Sequence, residues 1–368
     1  MICPNEALRK VWDERHLSPG LSLFSFLLMI LSLPYGIIVS VRNLLYGRGL
    51  LKSKKLPRPV ISIGNLTAGG TGKTPLVMAL ARMLLQAGYR PAVLSRGYGR
   101  KRRAGVVIVS DGHKILIPPE EAGDEPFLMA QLLSQVPVIV GACRFRAGEW
   151  AIAALGADVL LLDDGFQHRA LSRDVDIVLL DKERPVGNGR LLPGGSLREP
   201  PHALRRADVV VLTGNGGSGL ESLPPARQGL LTDVPNLFQA VHKPLAVIDG
   251  HRAAQPLSFL KGRKVYAFAG IGNPQSFRST IESLGVPLAG FAAYPDHCCY
   301  KASELAMILE KAGLLGADLI LTTEKDGVRL HDFSEFLEKI FLLRVEMNLT
   351  PAAEELLKVI LAKLNNES

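Results

Sequence analysis

The chain has few cysteines and few aromatic residues. Its 368 residues include four cysteines, which show neither CxxC spacing nor a disulfide framework, and only 6% aromatic residues. We therefore expect a reducing compartment and no zinc site. Because neither interleaved aromatics nor a helix-turn-helix pattern accompanies the basic residues, the sequence argues against nucleic-acid binding.

Charge is also missing from one long stretch near the N-terminus. No charged residue lies between His16 and Arg42, and the run Leu21–Leu33 is almost wholly apolar. A membrane span needs about 20 predominantly apolar residues. Pro34 and Gly36 are predicted to break the helix after about half that length. The serines of this stretch fall on one helical face and predict a weakly polar stripe: Ser18, Ser22, Ser25 and Ser32.

The residues after Pro34 predict a second, interfacial piece. Its apolar side chains share a helical face beside Arg42 and Arg48: Ile37, Val41, Leu44 and Leu45. Acidic residues in the leader argue against a cleaved signal peptide: Glu6, Asp13 and Glu14. We therefore expect a retained anchor at a membrane surface, with the basic cluster 42–58 on the cytoplasmic side. A buried hairpin that packs on the protein itself is the alternative.

Length and composition indicate a globular chain of two domains. A chain of 368 residues exceeds one usual core, and 47% hydrophobic with 21% charged residues is typical of folded proteins. The formal charge of +8 suits an acidic partner such as phosphates or anionic lipid. The predicted divisions are a membrane-associated segment at 1–55, a nucleotide-binding domain at 56–222, a linker at 223–262 and a smaller α/β domain at 263–368.

Short apolar runs alternate with helical patterns, which indicates an α/β fold with a mostly parallel sheet. Strands are predicted at 60–63, 92–94, 106–109, 138–140, 159–162, 177–180, 209–212, 265–269, 291–293, 319–322 and 340–345. Helices are predicted at 75–86, 125–133 and 145–155. The proline-rich stretch from Leu223 to Pro244 has no such pattern and is predicted to be irregular.

A glycine-rich stretch follows the first predicted strand and precedes the first predicted helix. This order is typical of a P-loop, in which backbone N–H groups and a helix N-terminus bind phosphates. Lys73 can reach the β- and γ-phosphates of ATP, and Thr74 offers a hydroxyl to Mg²⁺. The usual first glycine is replaced by Thr67. The predicted nucleotide-binding residues are Gly69, Gly70, Thr71, Gly72, Lys73, Thr74 and Pro75.

Two carboxylates end the predicted strand at 159–162. Asp163 and Asp164 stand where a buried strand holds an acid rigidly beside a phosphate loop, and Mg²⁺ shared with Thr74 offsets the desolvation of that acid. The pattern predicts that one of them binds the metal directly or through water. An acidic turn after a core strand is the alternative interpretation.

Several ordered motifs together resemble the tetraacyldisaccharide 4'-kinase, or lipid A 4'-kinase, family. The residues that carry the resemblance are Gly69–Pro75, Leu94-Ser-Arg-Gly-Tyr-Gly99, Gly123-Asp-Glu-Pro126, Asp163-Asp-Gly-Phe-Gln-His-Arg169, Leu191-Leu-Pro193, Leu197-Arg-Glu-Pro200 and Thr323-Glu-Lys-Asp326. The resemblance implies a P-loop nucleoside triphosphatase-like fold and transfer of the ATP γ-phosphate to the 4'-hydroxyl of a tetraacyldisaccharide 1-phosphate. It implies action at the cytoplasmic face of the bacterial inner membrane, without an obligate protein partner.

The resemblance also implies a catalytic pair. Asp124 would be the base or the group that orients the hydroxyl, and His297 would pair with it when the domains close over nucleotide; Lys73 is counted with them. From the residues alone, Asp124 suits a helix N-cap ahead of Pro126, and His297 beside Cys298 could simply be packed.

The substrate would meet a basic loop. In the family the Arg96 and Tyr98 loop lies toward the lipid, and guanidinium groups match phosphates bidentately. The run 101–103 that follows is interpreted as a solvated turn. The resemblance places further residues around substrate or metal: Arg144, Gln167, His168, Asn188, Arg198 and Glu199.

A membrane-recruited P-loop switch ATPase is the other class of enzyme that combines a similar loop with a membrane helix. That class places a signature lysine before the two glycines, where this chain has Ala68. The motif that begins at Asp163 also fits that class poorly.

Overall fold

A computed structural model describes residue 12 and residues 19–98, 100, 105–214, 229–231 and 234–366. The basic run 101–103 and most of the N-terminal leader lie outside these residues. The helices are α1 (Pro19–Gly47), α2 (Lys73–Gln86), α3 (Pro119–Ala122), α4 (Asp124–Leu132), α5 (Arg144–Leu155), α6 (Pro274–Ser283), α7 (Ala302–Leu314), α8 (Glu324–Arg329), α9 (Ser334–Leu337) and α10 (Ala353–Asn366). Short 3₁₀ helices span Pro201–Arg206 and Leu257–Leu260.

The described strands form one mostly parallel sheet. They are β1 (Val60–Asn65), β2 (Pro91–Ser95), β3 (Val106–Ser110), β4 (Val138–Gly141), β5 (Val159–Asp163), β6 (Val175–Asp181), β7 (Val209–Thr213), β8 (Leu237–Ile248), β9 (Ala254–Gln255), β10 (Val265–Ala269), β11 (Leu288–Ala293), β12 (Leu319–Thr323) and β13 (Phe341–Thr350). Their order is β11-β10-β12-β13-β8-β7-β6-β1-β5-β2-β4-β3, with β9 paired to β8. The predicted α/β class is confirmed, and every predicted strand and named helix is present.

The sheet is buried on both faces because its strands are continuous apolar runs. On one face, α2, α4 and α10 cover a core that includes Ile61, Ile63 and Leu161. On the other face, α5 covers Leu160 and Leu162. The carboxyl ends of β1 and β5, which are parallel neighbours, therefore lie side by side between helical layers. Ligands of open α/β sheets bind at this edge.

The stretch from Leu223 to Pro244 is not irregular throughout. Its last residues belong to β8, which is 12 residues long and pairs parallel with β7 and antiparallel with β13. Pro244 is tolerated because the ladder shifts register there: Pro244 pairs with Val345 and Ala246 with Arg344. A proline at a bulge removes no ladder bond that its neighbours need. Strand β8 thus joins the two halves of one sheet inside the predicted linker, and the division into domains stays a prediction.

The helix α1 continues through Pro34, so the predicted break is wrong. A proline inside a helix costs roughly 3 kcal/mol because it removes one hydrogen bond and crowds the preceding turn. Contacts on both sides of Pro34 offset that cost. The Ser32 hydroxyl donates to the carbonyls of Leu28 and Leu191, and the Tyr35 hydroxyl donates to the carbonyl of Arg198 at 2.9 Å. The helix is held against a loop of the sheet rather than folded back as a hairpin.

Candidate active site

The phosphate loop connects the end of β1 to the start of α2. Gly69 and Gly72 have φ values of 134° and 83°, a backbone region that favours glycine. The buried Asn65 side chain holds the loop from inside, because its amide donates to the Thr71 hydroxyl at 3.1 Å and to the Gly69 carbonyl at 3.3 Å. The first N–H groups of α2 therefore point into a loop of fixed shape, as phosphate binding requires.

The far half of the sheet touches this loop. A Cβ atom at Gly70 would lie 3.2 Å from Gly272 Cα, and one at Gly72 would lie 2.9 Å from Met347 Cε and 3.2 Å from the ring of His242. Close approach thus favours glycine at both positions, and at Gly72 the φ of 83° favours it as well. Burial lowers the pKa of His242, so this wall of the loop is neutral at pH 7.

The two aspartates follow β5, beside the loop. Asp163 pairs in register with Ile63 of β1 and is 2% exposed. Its Oδ2 accepts a hydrogen bond from the Ser95 hydroxyl at 2.9 Å, whereas its buried Oδ1 has no hydrogen-bond partner among the described residues. Burial, followed by the charges of Glu125 and Asp164, raises the pKa of Asp163 to about 7.

Asp164 has a different environment. Its φ of 52° turns it out of the strand direction, and Arg198 Nη1 donates to both carboxylate oxygens at 2.7 and 2.9 Å. Lys73 Nζ lies 3.6 Å from Oδ1. Burial alone would raise the pKa of Asp164, but Lys73 and then Arg198 outweigh it and lower that pKa. The loop lysine is therefore held on the aspartate beside the loop.

Asp124 and His297 meet across the two halves of the sheet. His297 Nδ1 lies 3.0 Å from Asp124 Oδ2, and the imidazole ring centroid is 5.8 Å from that of Tyr98. His297 has a φ of 57°, an unusual conformation for a residue other than glycine. The N-cap of α4 is Gly123, so the N-cap interpretation of Asp124 is wrong. The structure brings the predicted pair together.

Sequence reasoning missed three further residues of this cluster. The Arg329 Nε donates to Asp124 Oδ2 at 2.8 Å, and Lys325 Nζ lies 2.6 Å from Glu125 Oε1. Burial would raise the pKa of Asp124, but the His297 hydrogen bond and then the charges of Arg329 and Lys325 lower it well below its usual range. The motif that begins at Thr323 contains Lys325, but its spacing alone does not show that α8 faces α4.

Part of the predicted substrate set lies around Asp164. Arg198 contacts it directly, and Gln167 accepts from Arg198 at 3.5 Å while donating to the Asn65 carbonyl at 3.0 Å. Arg144 is 4% exposed. Burial, then the neighbouring Arg96, lowers its pKa, whereas Asp163 and Asp164 act in the opposite direction.

The remaining members are more scattered. Burial, followed by nearby arginines, lowers the pKa of His168 to about 4. Tyr98 and Arg96 are exposed. Asn188 donates to the Gly194 carbonyl at 3.2 Å and accepts from a backbone N–H of its own loop, so its described contacts shape that loop.

Glu199 is fully buried away from solvent. Its carboxylate accepts from Asn43 Nδ2 at 2.7 Å and from Arg206 Nη1 at 2.8 Å, and Arg42 Nη2 lies 3.4 Å away. These contacts join α1 to the loop after Leu197. A substrate role for Glu199 stays a prediction, and its described partners are all protein groups.

Comparisons with known proteins find similar chains. The profile of the Tetraacyldisaccharide-1-P 4'-kinase family matches residues 24–365. A curated Tetraacyldisaccharide 4'-kinase of Syntrophus aciditrophicus is 49% identical over 94% of this chain and 95% of its own length. One from Pelobacter propionicus is 43% identical over 93% and 95%. The crystal structure titled as an "apo" form of LpxK from Aquifex aeolicus in complex with ATP is similar with a TM-score of 0.71 and 37% identity, covering 94% of this chain and 98% of that chain.

Proposed function

Because the chain belongs to the tetraacyldisaccharide-1-P 4'-kinase family, we propose that it transfers the γ-phosphate of ATP to the 4'-hydroxyl of a tetraacyldisaccharide 1-phosphate. The product is lipid IVA, a lipid A precursor. One observation of the structure carries the proposal: a phosphate loop and a partly buried acid–histidine pair both lie where the two halves of the sheet touch. The switch ATPase is not favoured.

The loop and the aspartates suit a magnesium-bound triphosphate. The orphaned Oδ1 of Asp163 is a buried acceptor that a cation would satisfy, and the Thr74 hydroxyl at the start of α2 is the second protein ligand that we propose. When bound, Mg²⁺ neutralises charge on the β- and γ-phosphates. Lys73 would leave Asp164 for the phosphates, since both compete for the same ammonium group.

Asp124 is proposed as the base. Its depressed pKa keeps the carboxylate ionised at neutral pH, so it can accept a hydrogen bond from the 4'-hydroxyl and orient it, and it takes the proton once the hydroxyl oxygen bonds to phosphorus. As the hydroxyl oxygen bonds to the γ-phosphorus, the bond to the β–γ bridging oxygen breaks and ADP leaves with that electron pair. His297, with the proton on Nδ1, donates to Asp124 Oδ2 and orients the carboxylate. Phosphoryl transfer is mostly positioning, so one aligned carboxylate suffices.

The helix α1 is the proposed membrane contact. Its segment Leu23–Gly47 is long and apolar enough to cross a membrane by length and composition, and only 22% of the most apolar 18-residue stretch in it is buried. Large apolar side chains such as Leu33, Ile37 and Ile38 are 64–67% exposed, whereas the serine stripe faces the protein through Ser25 and Ser32. We propose that this apolar face binds the cytoplasmic side of the inner membrane, where the lipid substrate resides.

If α1 contacts the membrane, a single charge placed on its exposed apolar face should weaken binding to lipid vesicles. Leu33→Glu places a carboxylate on the exposed face of α1 and should lower the fraction of protein that floats with phospholipid vesicles by about tenfold. Leu314→Glu is the matched control, because Leu314 is 79% exposed on α7 in the other half of the chain. Equal flotation of the two variants would contradict the proposal.

The kinase function is tested directly. The full chain is incubated in detergent micelles with γ-labelled ATP, Mg²⁺ and the tetraacylated disaccharide 1-phosphate. Mass analysis should show one added phosphate on the non-reducing sugar. Turnover of ATP with no phosphate on the lipid, or labelling of the reducing-end phosphate instead, would refute the proposal.

A further inference from the structure

The guanidinium of Arg329 lies between the two halves of the sheet, at the end of α8. Its side chain is 8% exposed. Nε and Nη2 both donate to Asp124 Oδ2, with the Nε distance at 2.8 Å, and Nη1 donates to Asp326 Oδ1 at 3.1 Å. Nη1 also donates to the carbonyl of Gly270. One planar cation thus binds the proposed base, a second carboxylate and a backbone carbonyl.

Asp326 makes this arrangement rigid. It is fully buried and accepts hydrogen bonds from the Tyr300 hydroxyl at 3.0 Å, the Thr323 hydroxyl at 2.7 Å and the Gly270 N–H at 3.1 Å. A carboxylate with this many donors has one orientation, and it fixes the guanidinium that it binds. Arg329 therefore presents its Nε edge to Asp124 from an anchored position.

The same anchor reaches the phosphate loop. Gly270 begins the turn after β10, and two residues later a Cβ atom at Gly272 would lie 2.5 Å from the Gly70 N atom. The turn that Arg329 and Asp326 hold is therefore packed directly on the phosphate loop. Groups that position the base and the loop share one buried network.

We propose that Arg329 is a positioning residue for phosphoryl transfer, which holds Asp124 in register with the phosphate loop. The inference rests on the proposed function. Arg329 and His297 both contact Oδ2, and among the described residues the other oxygen accepts only the neighbouring Glu125 N–H at 3.1 Å. Oδ1 is thereby directed at the acceptor hydroxyl, while Lys325, Asp296 and Glu125 complete the charges around the pair.

If Arg329 positions Asp124, loss of its guanidinium group should lower kcat. In Arg329→Met the apolar stem stays but the fork is lost, and a misplaced base should lower kcat by about 100-fold. The KM for ATP should change by no more than about twofold, because an interaction that acts in the transition state affects kcat and not ground-state binding. Arg329→Lys keeps the positive charge but lacks the planar guanidinium, so its kcat should lie between those of the unaltered protein and Arg329→Met.

The matched control is Arg344→Met. Arg344 binds Glu324 of the same helix, with Nε at 2.8 Å from Oε1, and has no described contact with Asp124. Arg344→Met removes an ion pair of α8 but leaves the contacts of Asp124 intact. The kcat of this variant should therefore match that of the unaltered protein. Thermal melts of all three variants separate loss of fold from loss of positioning.

The outcomes are distinguishable. If Arg329→Met retains kcat while Asp124→Asn abolishes it, the inference fails and the proposed function survives. If the unaltered chain does not phosphorylate the lipid, the proposed function fails. If Arg329→Met does not fold, Arg329→Lys decides: an unchanged melt with lowered kcat supports the role, and an unchanged kcat overturns it.

Discussion

Asp163 and Asp124 are the two carboxylates proposed to act on the nucleotide and the acceptor, and they differ in how completely the protein satisfies them. Asp163 has one orphaned oxygen, and its pKa is raised by burial and by neighbouring acids. Asp124 is also enclosed, yet the His297 hydrogen bond and the charge of Arg329 overcome burial and lower its pKa. One site is short of positive charge, whereas the other is supplied with it from the far half of the sheet.

The difference follows from which elements surround each acid. Asp163 ends the central strand β5 between β1 and β2, and its described side-chain hydrogen bond comes from Ser95 of β2. Asp124 begins a helix whose first turn contacts α8, and α8 carries Lys325 and Arg329. The protein does not fully compensate the negative charge of Asp163, which suits the binding of a diffusible cation. It does compensate the negative charge of Asp124, which suits a carboxylate that must stay ionised and fixed.

The largest predicted effect separates these two sites. Asp163→Asn removes the buried negative charge, so Mg²⁺ should no longer tighten ATP binding, and turnover should fall by about a thousandfold. Asp124→Asn should keep Mg²⁺-dependent ATP binding while lowering turnover by at least about 100-fold. Calorimetric titration of ATP with and without Mg²⁺ measures the first property, and lipid phosphorylation measures the second.

If Asp163→Asn and Asp124→Asn both lose the effect of Mg²⁺ on ATP binding, the proposed difference between the two sites is wrong. Asp158→Asn is the control, because Asp158 lies just before the same strand but pairs with exposed Arg90 at 3.5 Å. It should match the unaltered protein in both measurements.

The sequence predicted the sheet well because central parallel strands are short apolar runs. Every strand from Val60 to Thr213 has such a run. It failed at β8, because a proline such as Pro244 is typical of an edge strand or a loop. The pairing partner that makes β8 a strand, β13, lies about a hundred residues further along the chain, and no local pattern records it.

The site was predictable to the extent that its residues sit in one motif. The loop at Gly69 and the aspartates after β5 can be located from strand order, since parallel strands end at one edge. The pairing of Asp124 with His297 came only from the family resemblance. Arg329 was missed because it is an ordinary basic residue in the last turn of a short helix, and its meaning depends on the docking of α8 against α4.

Glu199 is a buried carboxylate that, unlike Asp163, has partners for its charge. Glu199 is as buried as Asp163, but Asn43 and Arg206 donate to it and Arg42 lies nearby. Glu199→Gln removes the charge that the half-buried guanidinium groups of Arg206 and Arg42 contact, so the free energy of unfolding should fall by about 2 kcal/mol. Urea denaturation in detergent measures it.

The control for this loss is Glu346→Gln. Glu346 pairs with Arg82 at 3.9 Å, and both side chains are more than 40% exposed. An exposed pair of this kind contributes at most about 1 kcal/mol. If the two variants lose equal stability, the contacts of Glu199 do not hold α1 to the loop.

The smallest predicted effect concerns His168, where burial and surrounding positive charge act on a cation instead of an acid. Its pKa falls from 6.5 to about 4 on folding. Between these values the unfolded chain binds a proton that the folded chain does not, so stability decreases as pH falls from 6.5 to about 4 and this contribution is constant below that range.

His168→Gln should make the denaturation midpoint less dependent on pH in this window, whereas the exposed His113→Gln should leave the slope unchanged. An unchanged slope in His168→Gln would mean that His168 is hydrated in the folded protein. The contrast between a neutral, partly buried histidine and an ionised, partly buried aspartate would then rest on Asp124, to which Arg329 supplies the opposite charge.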